Sequence, residues 1–273
     1  MPAQEPIARA LLKLGNAIVR VRVSMRFPEP LLPGRLVRRF KRFFAEVALE
    51  RGESVLAHCP NPGSMLGLAA PGSRVLVAPV SSPTAKLAWR WELASDTAGS
   101  VVGINTGLAN RLVEEALEGG RIAELTGYRE RRGEVRYGQA SRVDFLLSGA
   151  GLPPCYLEVK SVTLRRGAGP GPGLAEFPDS VTARGARHLD ELAAMAQAGA
   201  RAVLLFLVQR ADCEAVAVAG DIDPAYLKAF ERARTLGVET LCYACRVEAV
   251  EIAVTARLPF LEAERHNRAR GVS

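Results

Sequence analysis

Two strand-like stretches decide the fold, RVDFLL at residues 142–147 and CYLEVK at residues 155–160. The connector between them is rich in turn-forming residues, which favours an antiparallel hairpin centred on Gly151. Asp144 and Glu158 each lie seven residues from that glycine. A symmetric hairpin therefore sets their carboxylates opposite each other on one face, with Cβ atoms about 5 Å apart.

Two opposed carboxylates destabilise a hairpin unless a positive charge lies between them. Mg²⁺ or Mn²⁺ would supply that charge, because hard divalent cations bind carboxylate oxygens together with water and phosphate. Lys160 follows Glu158 on the same face, where it could orient a water or neutralise charge on a phosphoryl group. We therefore predict Asp144, Glu158 and Lys160 as catalytic residues for phosphodiester hydrolysis, with Asp144, Glu158 and Glu115 as metal ligands. The alternative is a structural salt bridge from Lys160 to either acid, with Glu115 an ordinary helix glutamate.

The surrounding pattern predicts an α/β domain. Helical periodicity over 105–118 precedes strand-like runs, a second helix is expected over 182–198, and a third lies between Pro224 and Gly237. The fully apolar run 202–208 is typical of a central strand buried on both faces. The predicted order is αβββαβαββ, with the helices packed on a mixed sheet.

The preceding part of the chain has a different texture, with short apolar runs separated by turn signals. This spacing predicts a small β-barrel over residues 21–94, of the OB type or the SH3-like type. The polar segment 95–100 is interpreted as a linker, so the second domain is expected over 95–273. Residues 1–20 are expected to form a partly helical lead-in.

The charge indicates a polyanionic partner, because the chain carries a formal net charge of +7. The segment 31–43 interleaves cations with apolar and aromatic side chains, which suits nucleic-acid binding as well as a solvated strand face. We predict that it contacts DNA through five cations, Arg35, Arg38, Arg39, Lys41 and Arg42. Arg184 and His188 lie four residues apart on the second helix and are added to this set. His188 could equally make a hydrogen bond in the core.

Several classes of protein are disfavoured. No apolar run is long enough to span a membrane, and the first residues do not resemble a signal peptide, so we expect a cytoplasmic protein. The five cysteines include a single Cys-x-x-Cys, Cys242 and Cys245, which is better explained by packed thiols than by zinc. A small-molecule hydrolase or transferase lacks a nucleophile–base pair in the sequence.

Runs that match a known family extend well beyond the hairpin, and the chain resembles the sugar fermentation stimulation protein A family of the PD-(D/E)xK nuclease-like superfamily. The resemblance covers about residues 30–260. The matching runs are 58–65, 91–93, 105–106 with Asn110, 124–128, 141–145, 156–164, 177–179 and 182–192.

The resemblance implies an N-terminal OB-like barrel followed by a nuclease-like α/β domain with a mixed sheet. It carries the superfamily motif onto Asp144, Glu158 and Lys160 and its helix glutamate onto Glu115. It also implies DNA binding of low sequence specificity and a regulatory role in sugar (maltose) utilisation, with a Mg²⁺-dependent nuclease as the alternative. The expected partners are DNA, single- or double-stranded, and a second copy of the chain in a homodimer, with no membrane.

Overall fold

The computed structural model describes residues 11–14, 17–20, 24–138, 141–166 and 173–262. The strands are β1 Leu11–Leu14, β2 Ala17–Arg20, β3 Met25–Arg26, β4 Leu32–Phe40, β5 Phe44–Leu49, β6 Ser54–His58, β7 Arg74–Pro79, β8 Trp89–Ser95, β9 Val101–Gly103, β10 Glu130–Tyr137, β11 Ser141–Ser148, β12 Cys155–Val162, β13 Leu164–Arg165, β14 Gly173–Phe177, β15 Arg201–Val208, β16 Cys213–Val218, β17 Glu239–Val247 and β18 Glu251–Arg257. The α-helices are α1 Ala109–Glu118, α2 Ala183–Gln197 and α3 Pro224–Thr235.

The N-terminal domain is a closed barrel of five strands, β4 to β8, extended by β9 in the order β6-β5-β4-β7-β8-β9. A parallel pairing between β6 and β8 closes it, with Ala57 opposite Trp89. Its interior holds Leu36, Val47 and Trp91 in one buried cluster. Buried residues alternate with half-buried ones along β5, which is what a small barrel requires. The predicted OB-type barrel is therefore confirmed.

The predicted boundary between the domains is displaced. Residues 96–100 form the turn of a hairpin, because β9 pairs with β8 and continues the barrel sheet to Gly103. Asp96 shapes this turn by accepting from the backbone N–H groups of Ala98 and Ser100. Its other carboxylate oxygen accepts from the buried Arg210 of the second domain at 2.5 Å. A small polar segment with the composition of a linker is thus held at the junction of the two domains by the contact between Asp96 and Arg210.

The second domain is built on a mixed sheet in the order β10-β11-β12-β15-β17-β18-β3. β12, β15 and β17 run parallel to one another, and the outer pairs are antiparallel. Its edge strand β3 comes from Met25 and Arg26, which the sequence analysis assigned to the barrel. The chain therefore passes from the large sheet into the barrel and returns.

The central strand β15 confirms the prediction for 202–208, since every one of those residues is buried. Val203, Leu205 and Leu207 face the core that includes α1. Leu204 and Phe206 face the opposite core, which includes α2 and α3. Helix α2 begins at a cap, where the Thr182 side chain accepts from the Gly185 N–H. These two layers hold the strand ends that carry the site.

Two parts of the fold differ from expectation. Residues 11–14 and 17–20 pair as an antiparallel hairpin and are not helical. A small third sheet, β13-β14-β16, begins directly after β12 and was not predicted, because its parallel pairing joins residues far apart in sequence. The Gly/Pro tract 167–172 lies outside the described residues. None of the helices in the described ranges is long and apolar enough to cross a membrane.

Candidate active site

The β11–β12 hairpin has the predicted register. Phe145 pairs with Leu157 and Leu147 with Cys155, an alignment symmetric about Gly151, whose φ of 73° is the left-handed conformation that glycine favours. The next position of this register places Asp144 beside Glu158. The ladder ends at that point, and the two acids lie where the strands separate. Asp144, Glu158 and Lys160 are called the acidic centre below.

The Asp144 side chain takes over the backbone hydrogen bonding at the end of the ladder. Its Oδ2 accepts from the N–H of Val159 at 2.7 Å, and its Oδ1 accepts from the side-chain amide of Asn110 at 2.8 Å. Asn110 lies in the first turn of α1. The carboxylate is therefore held from one side by the sheet and from the other by the helix, and its orientation is set before any ligand arrives.

Glu158 is 2% exposed and is held through one oxygen. Its Oε1 accepts from Lys160 Nζ at 2.7 Å and is also bonded to Nδ1 of His188 on α2. Arg184 donates to His188 Nε2 at 3.3 Å. Because a guanidinium only donates, Nε2 is the acceptor and the ring proton is on Nδ1, which donates to Glu158. A chain of donors thus runs from Arg184 through His188 to the carboxylate.

The two acids differ in their affinity for a proton. Burial raises the pKa of Asp144, and the neighbouring charge of Glu158 raises it further. Burial also opposes ionisation of Glu158, but the hydrogen bond from His188 and the positive charge of Lys160 outweigh it and lower the pKa of Glu158. The pair therefore keeps one firmly ionised acid, Glu158, next to one whose ionisation is penalised.

One carboxylate oxygen of the acidic centre is available to bind a cation. The second oxygen of Glu158, Oε2, is buried and has no hydrogen-bond partner among the described residues. An unpartnered carboxylate oxygen next to a second carboxylate fits the ligand preference of Mg²⁺ or Mn²⁺, which take one or two carboxylates and complete their shell with water or phosphate. The residues present therefore fit the metal that the sequence analysis expects.

The third predicted ligand, Glu115, does not join them. Within the described chain no group of three or more acidic, cysteine or histidine side chains has the geometry of a metal site. Glu115 pairs with Arg111 at 3.2 Å on its own helix. The α1 residue that contacts Asp144 is Asn110, whose role the sequence analysis did not predict. Its place in the first helical turn, facing the end of β11, is the signal that could have indicated it.

His188 is not a nucleic-acid contact. The ring is 6% exposed and both of its nitrogens are engaged, one by Glu158 and the other by Arg184. The alternative interpretation, a hydrogen bond in the core, is the correct one. Its partner is Glu158, one of the predicted catalytic acids, so His188 positions a residue of the acidic centre.

The five cations of the barrel have different surroundings. Arg39 donates to four backbone carbonyls, those of Arg42, Asn61, Gly63 and Ser64, and so holds the 58–65 loop. Its guanidinium is used within the protein, which contradicts a primary role in binding phosphate. The others are exposed. Arg38 pairs with Glu46 at 2.7 Å, Arg35 donates to a carbonyl, and Lys41 and Arg42 form the tip of the β4–β5 hairpin.

A cleft of about 300 Å³ lies between the barrel and the second domain. Arg42 and the 61–63 segment line it from the barrel, and Ser161, Thr163 and Thr182 line it from the other domain, together with Glu176 and Asp179. Oδ2 of Asp179 accepts from the N–H of Met65 at 2.8 Å and so joins the two walls. Ser161 follows Lys160 in β12, and because successive side chains of a strand point to opposite faces, the cleft reaches the strand of the acidic centre on the face opposite to Lys160.

The cysteines pack as small apolar side chains, as expected. All five are buried and unpaired thiols. Cys242 and Cys245 lie in separate cores on opposite faces of β17, since an odd spacing of three reverses direction along a strand.

These features define a class: a protein in which an OB barrel precedes an α/β domain on a mixed sheet, with two acids at the end of a hairpin. Comparison with known proteins then gives the family. Residues 37–104 match the family model for the SfsA N-terminal OB domain, and residues 107–251 match that for the sugar fermentation stimulation protein RE domain. The chain belongs to the sugar fermentation stimulation protein family. The two models meet at residues 104–107, which agrees with the end of β9 rather than with the predicted boundary at 94.

Relatives match over most of their length. A sugar fermentation stimulation protein homolog from Ruegeria sp. (strain TM1040) is 57% identical over 217 residues, 80% of this chain and 92% of the relative. A homolog from Azorhizobium caulinodans is 52% identical and covers 87% of this chain and all of the relative. A solved structure, that of Pyrococcus furiosus SfsA in complex with Ca²⁺, superposes with a TM-score of 0.78 at 27% identity and covers 87% of this chain and 98% of that one.

Proposed function

We propose that this protein binds DNA and hydrolyses its phosphodiester bonds at the acidic centre with Mg²⁺ or Mn²⁺. One observation carries the proposal: the buried carboxylate of Glu158, which has an unpartnered oxygen, lies next to the half-buried carboxylate of Asp144 and to the Lys160 amine. The solved relative from Pyrococcus furiosus is described as a complex with Ca²⁺. Binding of a divalent cation by a member of the family supports the proposal for this chain. The proposed location is the cytoplasm, where a bacterial protein would meet DNA.

Each residue has a defined part. Asp144 and Glu158 would hold the cation, which when bound polarises a phosphoryl group and lowers the pKa of a water. Asn110 and the Val159 N–H keep Asp144 in place. His188 fixes the rotamer of Glu158 through Oε1 and leaves Oε2 to bind the cation. Lys160 provides a cation that can orient a water or neutralise charge that develops on the phosphoryl oxygens.

A second candidate is DNA binding without cleavage, through which a regulatory role in sugar (maltose) utilisation would act. The observation that favours it is the Lys160–Glu158 ion pair at 2.7 Å. In that arrangement the lysine already neutralises the acid and the acidic centre is a structural feature. Exposed cations on the barrel and the net charge of +7 are equally compatible with both candidates.

The test is cleavage of labelled single-stranded, duplex and branched DNA with Mg²⁺, with Mn²⁺ and with EDTA. Asp144→Asn and Lys160→Ala are compared with Lys228→Ala, which removes an exposed lysine from α3. We expect metal-dependent cleavage that falls at least about 100-fold in the first two variants and is unchanged in the control. Binding to every substrate without cleavage of any would instead favour the second candidate.

A further inference from the structure

The outer face of the barrel carries a row of rings across three strands. Phe40 on β4 pairs with Phe44 on β5, and Phe44 pairs with His58 on β6, so the three side chains share one face. The Phe40 and Phe44 rings stack with centroids 5.4 Å apart. Phe43 at the hairpin tip stacks on His58 at 6.4 Å. Phe40, Phe43, Phe44 and His58 are called the aromatic strip below.

One end of the aromatic strip is open to solvent, and Phe40 and Phe44 are half-buried. Phe43 is 44% exposed and His58 is also exposed. The next row of the same face adds the exposed Leu56, which lies opposite Glu46. Exposed rings of this size on adjacent strands, beside cations, are typical of a surface that binds a ligand with flat apolar faces and negative charge.

Cations surround the rings. The Arg38 guanidinium lies over the Phe40 ring at 4.9 Å. Lys41 and Arg42 are exposed between Phe40 and Phe43 in the three-residue turn. The turn is held in shape, because Cys59 donates to the Phe43 carbonyl at 2.8 Å and Arg39 donates to the Arg42 carbonyl at 2.9 Å. The positive charges and the ring faces are thus presented together by a rigid hairpin.

The hairpin tip also reaches the cleft between the two domains. Arg42 lies in the lining of the 300 Å³ cleft, whose opposite wall includes Ser161 of β12. Thr106, Thr163 and Thr182 line it as well, as do the acidic residues Glu176 and Asp179. A strand whose phosphates contact Lys41 and Arg42 would therefore lie along the barrel side of this cleft.

We propose that the aromatic strip binds single-stranded DNA, with bases stacked on Phe43 and His58 and phosphates on Lys41 and Arg42, and guides the strand into the cleft. Base faces are available for stacking only in an unpaired strand, because in a duplex each face is covered by its neighbour. The inference rests on the proposed function for its nucleic-acid partner but not on cleavage. It deepens that function by naming the form of DNA that the barrel takes.

The experiment measures binding without chemistry. Fluorescence anisotropy in EDTA compares a labelled oligo-dT of about 15 nucleotides, near the upper site size of one OB fold, with a blunt duplex of the same length. Phe43→Leu keeps an apolar side chain but removes the ring, whereas Phe43→Trp keeps a stacking face. Leu152→Ala serves as the control, because Leu152 is 41% exposed and lies in the hairpin of the other domain.

We expect Phe43→Leu to weaken binding of the single strand about 10-fold and Phe43→Trp to retain it, with duplex affinity unchanged by either. His58→Ala is the second variant and should weaken single-strand binding in the same direction. If Phe43→Leu and His58→Ala bind the single strand as the wild type does, or lose duplex binding equally, the proposal is wrong. Cleavage is scored separately, so an inactive protein that shows this preference retains the inference while the proposed hydrolysis fails.

Discussion

The aromatic strip and the acidic centre are opposite in how their side chains are held. Phe43 and His58 of the strip are exposed, and the rings contact one another across strands. Glu158 is buried and Asp144 half-buried, and both are fixed by hydrogen bonds from α1, α2 and the backbone of β12. An exposed surface adapts to many sequences, whereas a fixed set of carboxylates holds one geometry. Under the proposed function this difference would assign DNA affinity to the barrel and cleavage to the second domain.

The two regions meet through the 58–65 loop. Arg39 of the barrel holds this loop through three of its carbonyls, and Asp179 of the second domain accepts from its backbone at Met65. Substitutions in the aromatic strip should therefore change DNA affinity alone, and substitutions in the acidic centre should change cleavage alone. Substitutions in the 58–65 loop should change the contact between the two domains. The following expectations test that separation.

Among the variants that test this separation, the largest effect is expected at His188, which contacts the acidic centre through Glu158. His188→Ala should lower kcat for metal-dependent cleavage about 10- to 100-fold, because loss of a residue that orients a metal ligand typically has that effect. The KM for single-stranded DNA should be unchanged. Steady-state kinetics on a labelled oligonucleotide measures both.

His188→Asn is the informative companion, because its amide can place a donor near the position of Nδ1 and should recover part of kcat. Thermal melting of both variants checks that α2 remains packed. A rise in KM with kcat unchanged would place His188 in strand binding and remove the separation between the two regions.

A smaller effect is expected on the free energy of unfolding, in which Arg39, bonded within the protein, should differ from the exposed cations. Arg39→Lys removes the planar donor that four carbonyls share, and should lower the free energy of unfolding by about 1–3 kcal/mol. Lys41→Ala should change the free energy of unfolding by less than about 0.5 kcal/mol, since its side chain is exposed. Urea unfolding measures the free energy of unfolding of both variants.

The same pair is then compared in DNA binding. Lys41→Ala should reduce the slope of log affinity against log salt by about 1, as the loss of one phosphate contact does. Arg39→Lys should leave that slope unchanged. Equal salt slopes for Lys41→Ala and the wild type would show that the hairpin tip does not contact phosphate.

The sequence predicted the parts of the site that depend on local geometry. The opposition of Asp144 and Glu158 was predicted from a hairpin symmetric about one glycine, and the observed ladder has that symmetry up to the pair of Phe145 with Leu157, one position before the two acids. Asn110, His188 and Arg39 could not be assigned in the same way. Their partners lie 34, 30 and up to 25 residues away on other elements, so their roles depend on how those elements pack.

The domain boundary illustrates the same limit. A stretch of small polar residues over 95–100 has the composition of a linker, and composition was the only local signal. What makes it a fixed turn is Arg210, 114 residues away, whose guanidinium reaches Asp96. The composition of a segment therefore indicates that it makes few local apolar contacts, but it does not predict an ion pair with a residue far away in the sequence.

The smallest expected effect is on stability and depends on pH. The raised pKa of Asp144 means that its contribution to stability is lost as the pH rises through that value, whereas the lowered pKa of Glu158 means that its contribution is lost as the pH falls through its own. Ionising Asp144 beside the charged Glu158 therefore has a cost, which a bound cation would relieve. Mg²⁺, Mn²⁺ or Ca²⁺ at about ten times Kd should add about 1.4 kcal/mol, or roughly 3–5 °C in Tm.

Protons compete with the cation for Asp144, so this shift in Tm should decline on acidification at a pH above the ordinary aspartate value of 3.8. Asp144→Asn should show no metal-induced shift at any pH, and Asp221→Asn, an exposed aspartate near the start of α3, should behave as the wild type. If the wild type gives no shift with any of the three cations between acidic and neutral pH, the acids do not hold a metal. The Lys160–Glu158 pair would then be a structural contact, and the barrel would be the region that carries the function.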